Sequence, residues 1–278
     1  MRKHSVGLQR SASFLLLLLI LAVGQLQTPP HRSRSVSTVF PYIKFSSSKD
    51  GMACGYSFGD CKKKNVMFVI AHPDDESMFF SPTINHLSSN GYNLHVLCLS
   101  TGNADGMGRI RSDELHRACA VLKVPLKQLK ILDHPNLQDG FGQEWSQNLL
   151  TKIIDEEVTN HNIHMIITFD GYGVSGHCNH RDVHHGVLKF LQTDSGRNVK
   201  AWELASLTIF RKYLGPIDIW MSILSTKGDT SRAVIINEQP LKSFEAMAQH
   251  SSQWVWFRKL FVSFSSYTYV NTLQRIKA

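Results

Sequence analysis

The sequence predicts an α/β body: a mostly parallel sheet with helices on both faces. Three observations point there. Unbroken apolar runs of strand length recur along the chain, as in strands covered on both faces. Segments of helical character separate those runs. Their spacing leaves room for right-handed crossovers rather than hairpins.

Val66–Ala71 is the first buried strand. Ser81–Asn90 reads as a helix, and Gly91 suits its C-cap. Leu94–Leu99 is the second strand. Ser112, Asp113 and Glu114 open the next helix as a cap with early acids, and Pro125 follows its end. Leu129–Leu132 is a third short strand, Gln147–Asn160 a helix, Met165–Phe169 a fourth strand and Asp182–Leu191 a further helix. In such sheets ligands bind beyond the carboxyl ends of the strands, near the switch in strand order. The residues after Ala71, Leu99, Leu132 and Phe169 are therefore the first place to look for function.

Composition bounds the possibilities. Of 278 residues 42% are hydrophobic and 19% charged, which excludes a disordered chain, a fibre and a polytopic transporter. Lys and Arg number 30 against 22 acids, a net +8. Such an excess suits nucleic acid, an anionic membrane surface or an anionic small substrate. Neither zinc-finger spacing nor an aromatic RNA-binding motif occurs, so no nucleic-acid partner is expected. Five unevenly spaced cysteines argue against a disulfide framework.

Three regions follow from these patterns. Residues 1–27 hold Arg2, Lys3 and Arg10 before the apolar run Phe14–Val23, which reads equally as a secretory signal or a retained signal-anchor. Residues 28–64, rich in Ser, Pro, Lys and Gly, read as a flexible tether. Residues 65–278 form the globular body.

Chemistry concentrates at two strand exits. After the first strand, His72-Pro73-Asp74-Asp75-Glu76 supplies an imidazole and three carboxyls. Adjacent acids repel unless a cation compensates, and His and Asp are ordinary zinc ligands. His72 and Asp75 can face one ion, with Asp74 facing a water; a helix N-cap favouring acids is the competing explanation. After the fourth strand, Asp170 to His185 contains three glycines and then His177 and His180, a metal or catalytic pair where the loop turns into a helix. His184 and His185, further along the helix, read as helical surface or as support behind the site. The polar loop Ser100–Arg111, which includes Asn103 and carries Arg109 and Arg111, suits a hydroxyl-rich or phosphate-bearing substrate. An Arg111–Glu114 pair in a solvated loop is its alternative.

His72-Pro73-Asp74-Asp75-Glu76 together with Gly176-His177-Cys178-Asn179-His180 resembles the LmbE-like (PIG-L) family of zinc-dependent de-N-acetylases, over about Val66 to Asn271. Met78-Phe79-Phe80, Gly173-Val174-Ser175 and Ser252-Gln253 with Trp256 to Leu260 are similar to its eukaryotic branch. Bacterial members often carry Pro-Asp where this chain has Cys178-Asn179. The resemblance implies a Rossmann-like fold and a metal-dependent amide hydrolase. Its substrate would be a glycosylphosphatidylinositol-precursor lipid, de-N-acetylated in the second step of GPI-anchor synthesis. It implies zinc, or another divalent metal, on His72, Asp75 and His180. Asp74 would be the general base, His177 would polarise the carbonyl, and Arg111 and Glu114 would flank the substrate with Asn103. It further implies the endoplasmic reticulum membrane, with the catalytic body on the cytoplasmic face. Competing expectations are a de-N-acetylase of a soluble N-acetylglucosaminyl conjugate and a catalytically silent carbohydrate-binding protein. At the C-terminal end, Trp254, Phe257, Phe261 and Phe264 fall near one helical face, with Arg258 and Lys259 between them. This stretch, like Tyr213–Leu224, suits either a bilayer interface or packing on the body.

Overall fold

A computed structural model describes residues 64–140 and 142–277. The N-terminal apolar segment, and the tether up to residue 63, lie outside the described residues.

The anticipated strands are present. The first, β1 (Asn65–Ile70), leads through a π-helical turn, Glu76–Phe80, into α1 (Ser81–Ser89). Then follow β2 (Asn93–Cys98), α2 (Gly108–Val121), β3 (Leu129–Ile131), α3 (Gln147–His161), β4 (Met165–Phe169) and α4 (Cys178–Leu191). Every side chain from Val66 to Ile70 and from Met165 to Phe169 is buried, the expected result for strands without a polar face.

Besides short helical turns, the described residues continue with β5 (Lys200–Leu204), α5 (Asp218–Ser225), β6 (Arg232–Ile236), α6 (Pro240–Gln249), α7 (Trp256–Phe264) and β7 (Val270–Arg275). The seven strands make one sheet in the order β3-β2-β1-β4-β5-β7-β6. Pairing is parallel from β3 through to β5, while β7 runs antiparallel to both β5 and β6. The helices group as α3 on α4, and as α2 and α1 against α6. Strand order reverses between β1 and β4, so their carboxyl ends flank the switch point.

Two helix starts differ from the sequence expectation. Helix α2 begins at Gly108, one turn before Ser112, because the Asn103 side-chain oxygen accepts the Gly108 N–H at 2.9 Å. Ser112 instead donates back to the Gly108 carbonyl from inside the helix. Helix α4 begins at Cys178 rather than Asp182, with His177 as its N-cap. Strands β5 to β7 were not anticipated: β5 and β6 mix buried and partly exposed residues, and β7, buried over Val270–Leu273, carries Asn271 and Thr272 among its apolar residues.

Candidate active site

The turn after β1 sends its three acids in different directions. Asp75 is buried, and its Oδ2 accepts the Ala71 and His72 backbone N–H groups at 3.0 and 2.9 Å. Its Oδ1 lies 3.2 Å from His180 Nε2. Burial alone would raise the Asp75 carboxyl, but His180, His72 and the backbone bond hold it well below the usual carboxylate range. Glu76, fully buried, turns away: Oε2 accepts the Asp74 N–H at 3.1 Å, and Oε1 meets Ser77 Oγ at 2.5 Å and His250 Nε2 at 2.7 Å. Asp74 adopts φ 121°, a strained value for a residue with a side chain. Its Oδ2 meets the guanidinium of Arg258 and, at 3.4 Å, that of Arg111. Asp74 and Glu76 thus meet basic side chains of their own, Arg258 with Arg111 and His250 respectively, while Asp75 and His180 face each other where the expected cation would lie.

The loop after β4 brings the histidines to the same place. Gly173, at φ 70°, sits so close to α4 that a Cβ there would lie 2.7 Å from the His180 Cβ. Only glycine lets the loop close this tightly. The His180 ring stacks on Phe169, 4.1 Å between centroids and 2° from parallel. Its Nδ1 faces the Gly173 carbonyl at 3.0 Å. A carbonyl accepts only, so Nδ1 carries the hydrogen and Nε2 offers its lone pair to the site. At His177 the Asn179 backbone N–H donates to Nδ1 at 3.3 Å. Burial, with His72 and His180 nearby, depresses His177 to about 4. The ring is neutral near pH 7, and its hydrogen sits on Nε2.

His72 Nε2 lies 3.0 Å from Asp139 Oδ1 and 3.1 Å from Asn179 Oδ1, two acceptors. It therefore donates from Nε2 and keeps a lone pair on Nδ1. Burial would lower His72, but the Asp139 hydrogen bond and the charges of Asp75, Asp139 and Asp74 raise it instead.

One ring nitrogen from each of His72, His177 and His180 lies within 4.8 Å of the others. The chemistry of this donor set fits a divalent metal. His180 Nε2 and Asp75 Oδ1 lie 3.2 Å apart, a spacing that needs a positive centre between them, supplied by a proton or by a metal ion. The same test separates the imidazoles: His72 and His180 have lone pairs to give, whereas His177 has a hydrogen.

Of the residues expected from sequence, His72, Asp74, Asp75, His177, His180 and Arg111 converge. Arg111 is buried, donating to the Gly102 and Pro73 carbonyls at 2.8 and 2.9 Å and meeting Asp139 at 3.3 Å. Asn103 and Glu114 have other partners. Asn103 is exposed and caps α2; Glu114 accepts from the Ser252 N–H and Oγ at 2.7 and 2.6 Å, in place of the alternative pair with Arg111. Of the two readings of His184, burial leaves the supporting one: its Nδ1 lies on the Phe169 carbonyl at 3.1 Å.

Three features were missed. Asp139 joins His72 to Arg111 and follows β3, a strand exit that topology had already marked for attention. Neither the Glu76–His250 pair nor the reach of Arg258 to Asp74 has a local signature, since each spans more than 170 residues.

A family model described as PIG-L, GlcNAc-PI de-N-acetylase, matches residues 67–191. A Dictyostelium discoideum protein named probable N-acetylglucosaminyl-phosphatidylinositol de-N-acetylase is 35% identical, over 77% of this chain and 94% of its own length. The Bos taurus N-acetylglucosaminyl-phosphatidylinositol de-N-acetylase is 34% identical, over 75% of this chain and 82% of its own. Among solved structures, N,N'-diacetylchitobiose deacetylase from Pyrococcus horikoshii aligns with a TM-score of 0.56 at 13% identity, covering 77% of this chain and 84% of that one. The zinc-inhibited form of teicoplanin deacetylase Orf2 gives 0.54 at 12%, covering 77% and 99%. These two likenesses establish the fold alone. The extent and identity of the sequence matches establish the family: this chain is a member of the PIG-L de-N-acetylases.

Proposed function

We propose that the chain hydrolyses the acetamide of N-acetylglucosaminyl-phosphatidylinositol, giving glucosaminyl-phosphatidylinositol and acetate, the second step of GPI-anchor biosynthesis. One observation carries this reading: a buried carboxylate and two lone-pair imidazoles meet a proton-bearing imidazole and a second carboxylate at the switch point of a PIG-L family chain.

His72 through Nδ1, Asp75 through Oδ1 and His180 through Nε2 are the residues that would hold a zinc ion. When bound, zinc supplies Lewis acidity toward a carbonyl and makes water more acidic at neutral pH. The protein supplies the rest. Asp74 accepts the proton of the attacking water and returns it to the leaving amine. Its ion pairs with Arg111 and Arg258 hold the carboxylate in place. His177 donates its Nε2 hydrogen to the carbonyl oxygen as negative charge develops there, a contact worth about 3–4 kcal/mol in other hydrolases. Asp139 fixes the His72 tautomer from behind. Asn103 caps the helix that carries Arg111, and Glu114 ties down, through Ser252, the segment that delivers Arg258.

The reaction belongs at the endoplasmic reticulum membrane, with the catalytic body on the cytoplasmic face. The apolar N-terminal run and the net positive charge support this placement. Among the described residues no helix is long and apolar enough to cross a membrane. The test is incubation of the purified full chain with the acetylated glycolipid, with and without a chelator, reading acetate. Release that the chelator abolishes is expected; no release from this glycolipid would overturn the reading.

A further inference from the structure

Two neighbouring segments of the C-terminal half, α7 and residues 209–224, carry many of the exposed apolar side chains. On α7, Trp256, Phe257, Leu260 and Phe264 are 72%, 54%, 49% and 47% exposed, at spacings that place them along one side of a helix. The helix is held from its other side: Val262 is buried, and Phe261 packs on Phe79 and Tyr213 with ring centroids 5.7 and 6.2 Å apart. This corrects the sequence expectation, which grouped Phe261 with Phe257 and Phe264. Residues 209–224 lie alongside, where Gly215 passes so close that a Cβ would sit 3.3 Å from the Phe264 carbonyl. There Phe210 and Trp220 are 72% and 56% exposed. A single exposed aromatic is ordinary, but several on two adjoining segments mark a binding face.

Charge indicates what binds. Residues 206–226 and 251–269 contain Arg211, Lys212, Arg258 and Lys259 and only one acid, Asp218. Asp218 is buried on Arg211 Nε at 2.7 Å and Arg258 is paired with Asp74, so the net positive charge of these segments rests on Lys212 and Lys259, with no acid of the same segments left to offset them. Aromatics rimmed by cations complement an anionic lipid surface. The face also adjoins the reacting groups: Arg258 of α7 reaches Asp74, and Phe79, beneath Phe261, lies 6.0 Å from the His180 ring.

We propose that α7 and residues 209–224 form a docking surface for a bilayer containing phosphatidylinositol, turning the mouth of the site toward the lipid headgroups. This rests on the lipid-linked substrate proposed above.

The test uses the full chain in phosphatidylcholine–phosphatidylinositol vesicles, with and without brominated acyl chains. Brominated lipid should quench tryptophan emission, and Trp220→Phe with Trp256→Phe should remove most of that quenching, since of the other three Trp145 is buried and Trp202 and Trp254 are only partly exposed. The triple variant Trp256→Ser, Phe257→Ser, Leu260→Ser should lose at least about tenfold in turnover of bilayer-embedded substrate. It should stay within about twofold of the parent on an acyl-free N-acetylglucosaminyl inositol phosphate. No bromine quenching at residues 220 and 256 overturns the proposal, and so does their protection by a co-purifying protein. If the parent releases acetate from neither substrate, the proposed function fails, while the quenching still decides the surface.

Discussion

The two halves of the sheet use polarity in opposite senses. Around β1 and β4 polar groups lie inside: His72, Asp74, Asp75, Glu76, Arg111 and His180 are all buried and cross-bonded. Around β5 to β7 the outer helices turn apolar groups outward, with Trp256 and Phe210 nearly three-quarters exposed. Each inversion costs stability, since buried polar groups need partners and exposed aromatics forgo burial. The first arrangement serves chemistry and the second suits docking.

The largest effect should come from breaking the polar cluster at its metal side. His180→Ala should lose bound metal and activity together, by more than the roughly 10⁴-fold that a general base alone can contribute. Metal analysis of the purified variant checks this, and a fully metallated His180→Ala would remove His180 from the ligand set. Asp74→Asn should keep its metal and lose about 10²–10⁴-fold in turnover. Undiminished turnover would rule out Asp74 as the base.

How legible this contrast is in the sequence follows from range. His72 with Asp75, and His177 with His180, are local spacings at strand exits, so both motifs could be read and the four side chains do meet. The parallel half was readable because a strand buried on both faces is an unbroken apolar run. Strands β5 to β7 were not, because they mix polar and apolar residues and β7 pairs with both its neighbours from far along the chain. For the same reason Asp139 and His250 could not be read from motifs: a side chain that completes a site from a loop or a distant helix has no periodicity of its own. The sense of the C-terminal aromatics was half visible. Spacing placed them on a helix, but only tertiary packing decided that Phe261 faces in and Trp256 out.

The seam between the halves offers a smaller perturbation. His250, at the end of α6, pairs with Glu76 at 2.7 Å with both side chains fully buried. Burial opposes a charged His250, but Glu76 outweighs it and raises the imidazole. His250→Ala should cost about 3–5 kcal/mol, the effect of leaving a buried partner uncompensated. Because Glu76 also holds the Asp74 N–H, turnover should fall by about 10–100-fold, less than in Asp74→Asn. Thermal denaturation and steady-state kinetics on one preparation read both, and an unchanged melting temperature would deny the pair its role in joining the halves.

The mildest effect belongs to Glu203 on β5, the strand where parallel pairing gives way to antiparallel and where Glu203 lies opposite Gln274. Burial, with the Asp170 charge nearby, pushes Glu203 up to about 7. His184 lies 3.4 Å away but donates its Nδ1 hydrogen to the Phe169 carbonyl at 3.1 Å, and so gives Glu203 little relief. An unfolded glutamate titrates near about 4.3. Between that value and about 7 the folded protein keeps a proton that the unfolded chain has lost. Stability from this group is therefore complete below about pH 4.3 and declines as pH rises through the interval. Glu203→Gln cannot titrate and should flatten that slope. The variant should match the parent in acid and exceed it in melting temperature above pH 7. Parallel curves for the two proteins from pH 4 to 8 would place the pH sensitivity elsewhere in the seam.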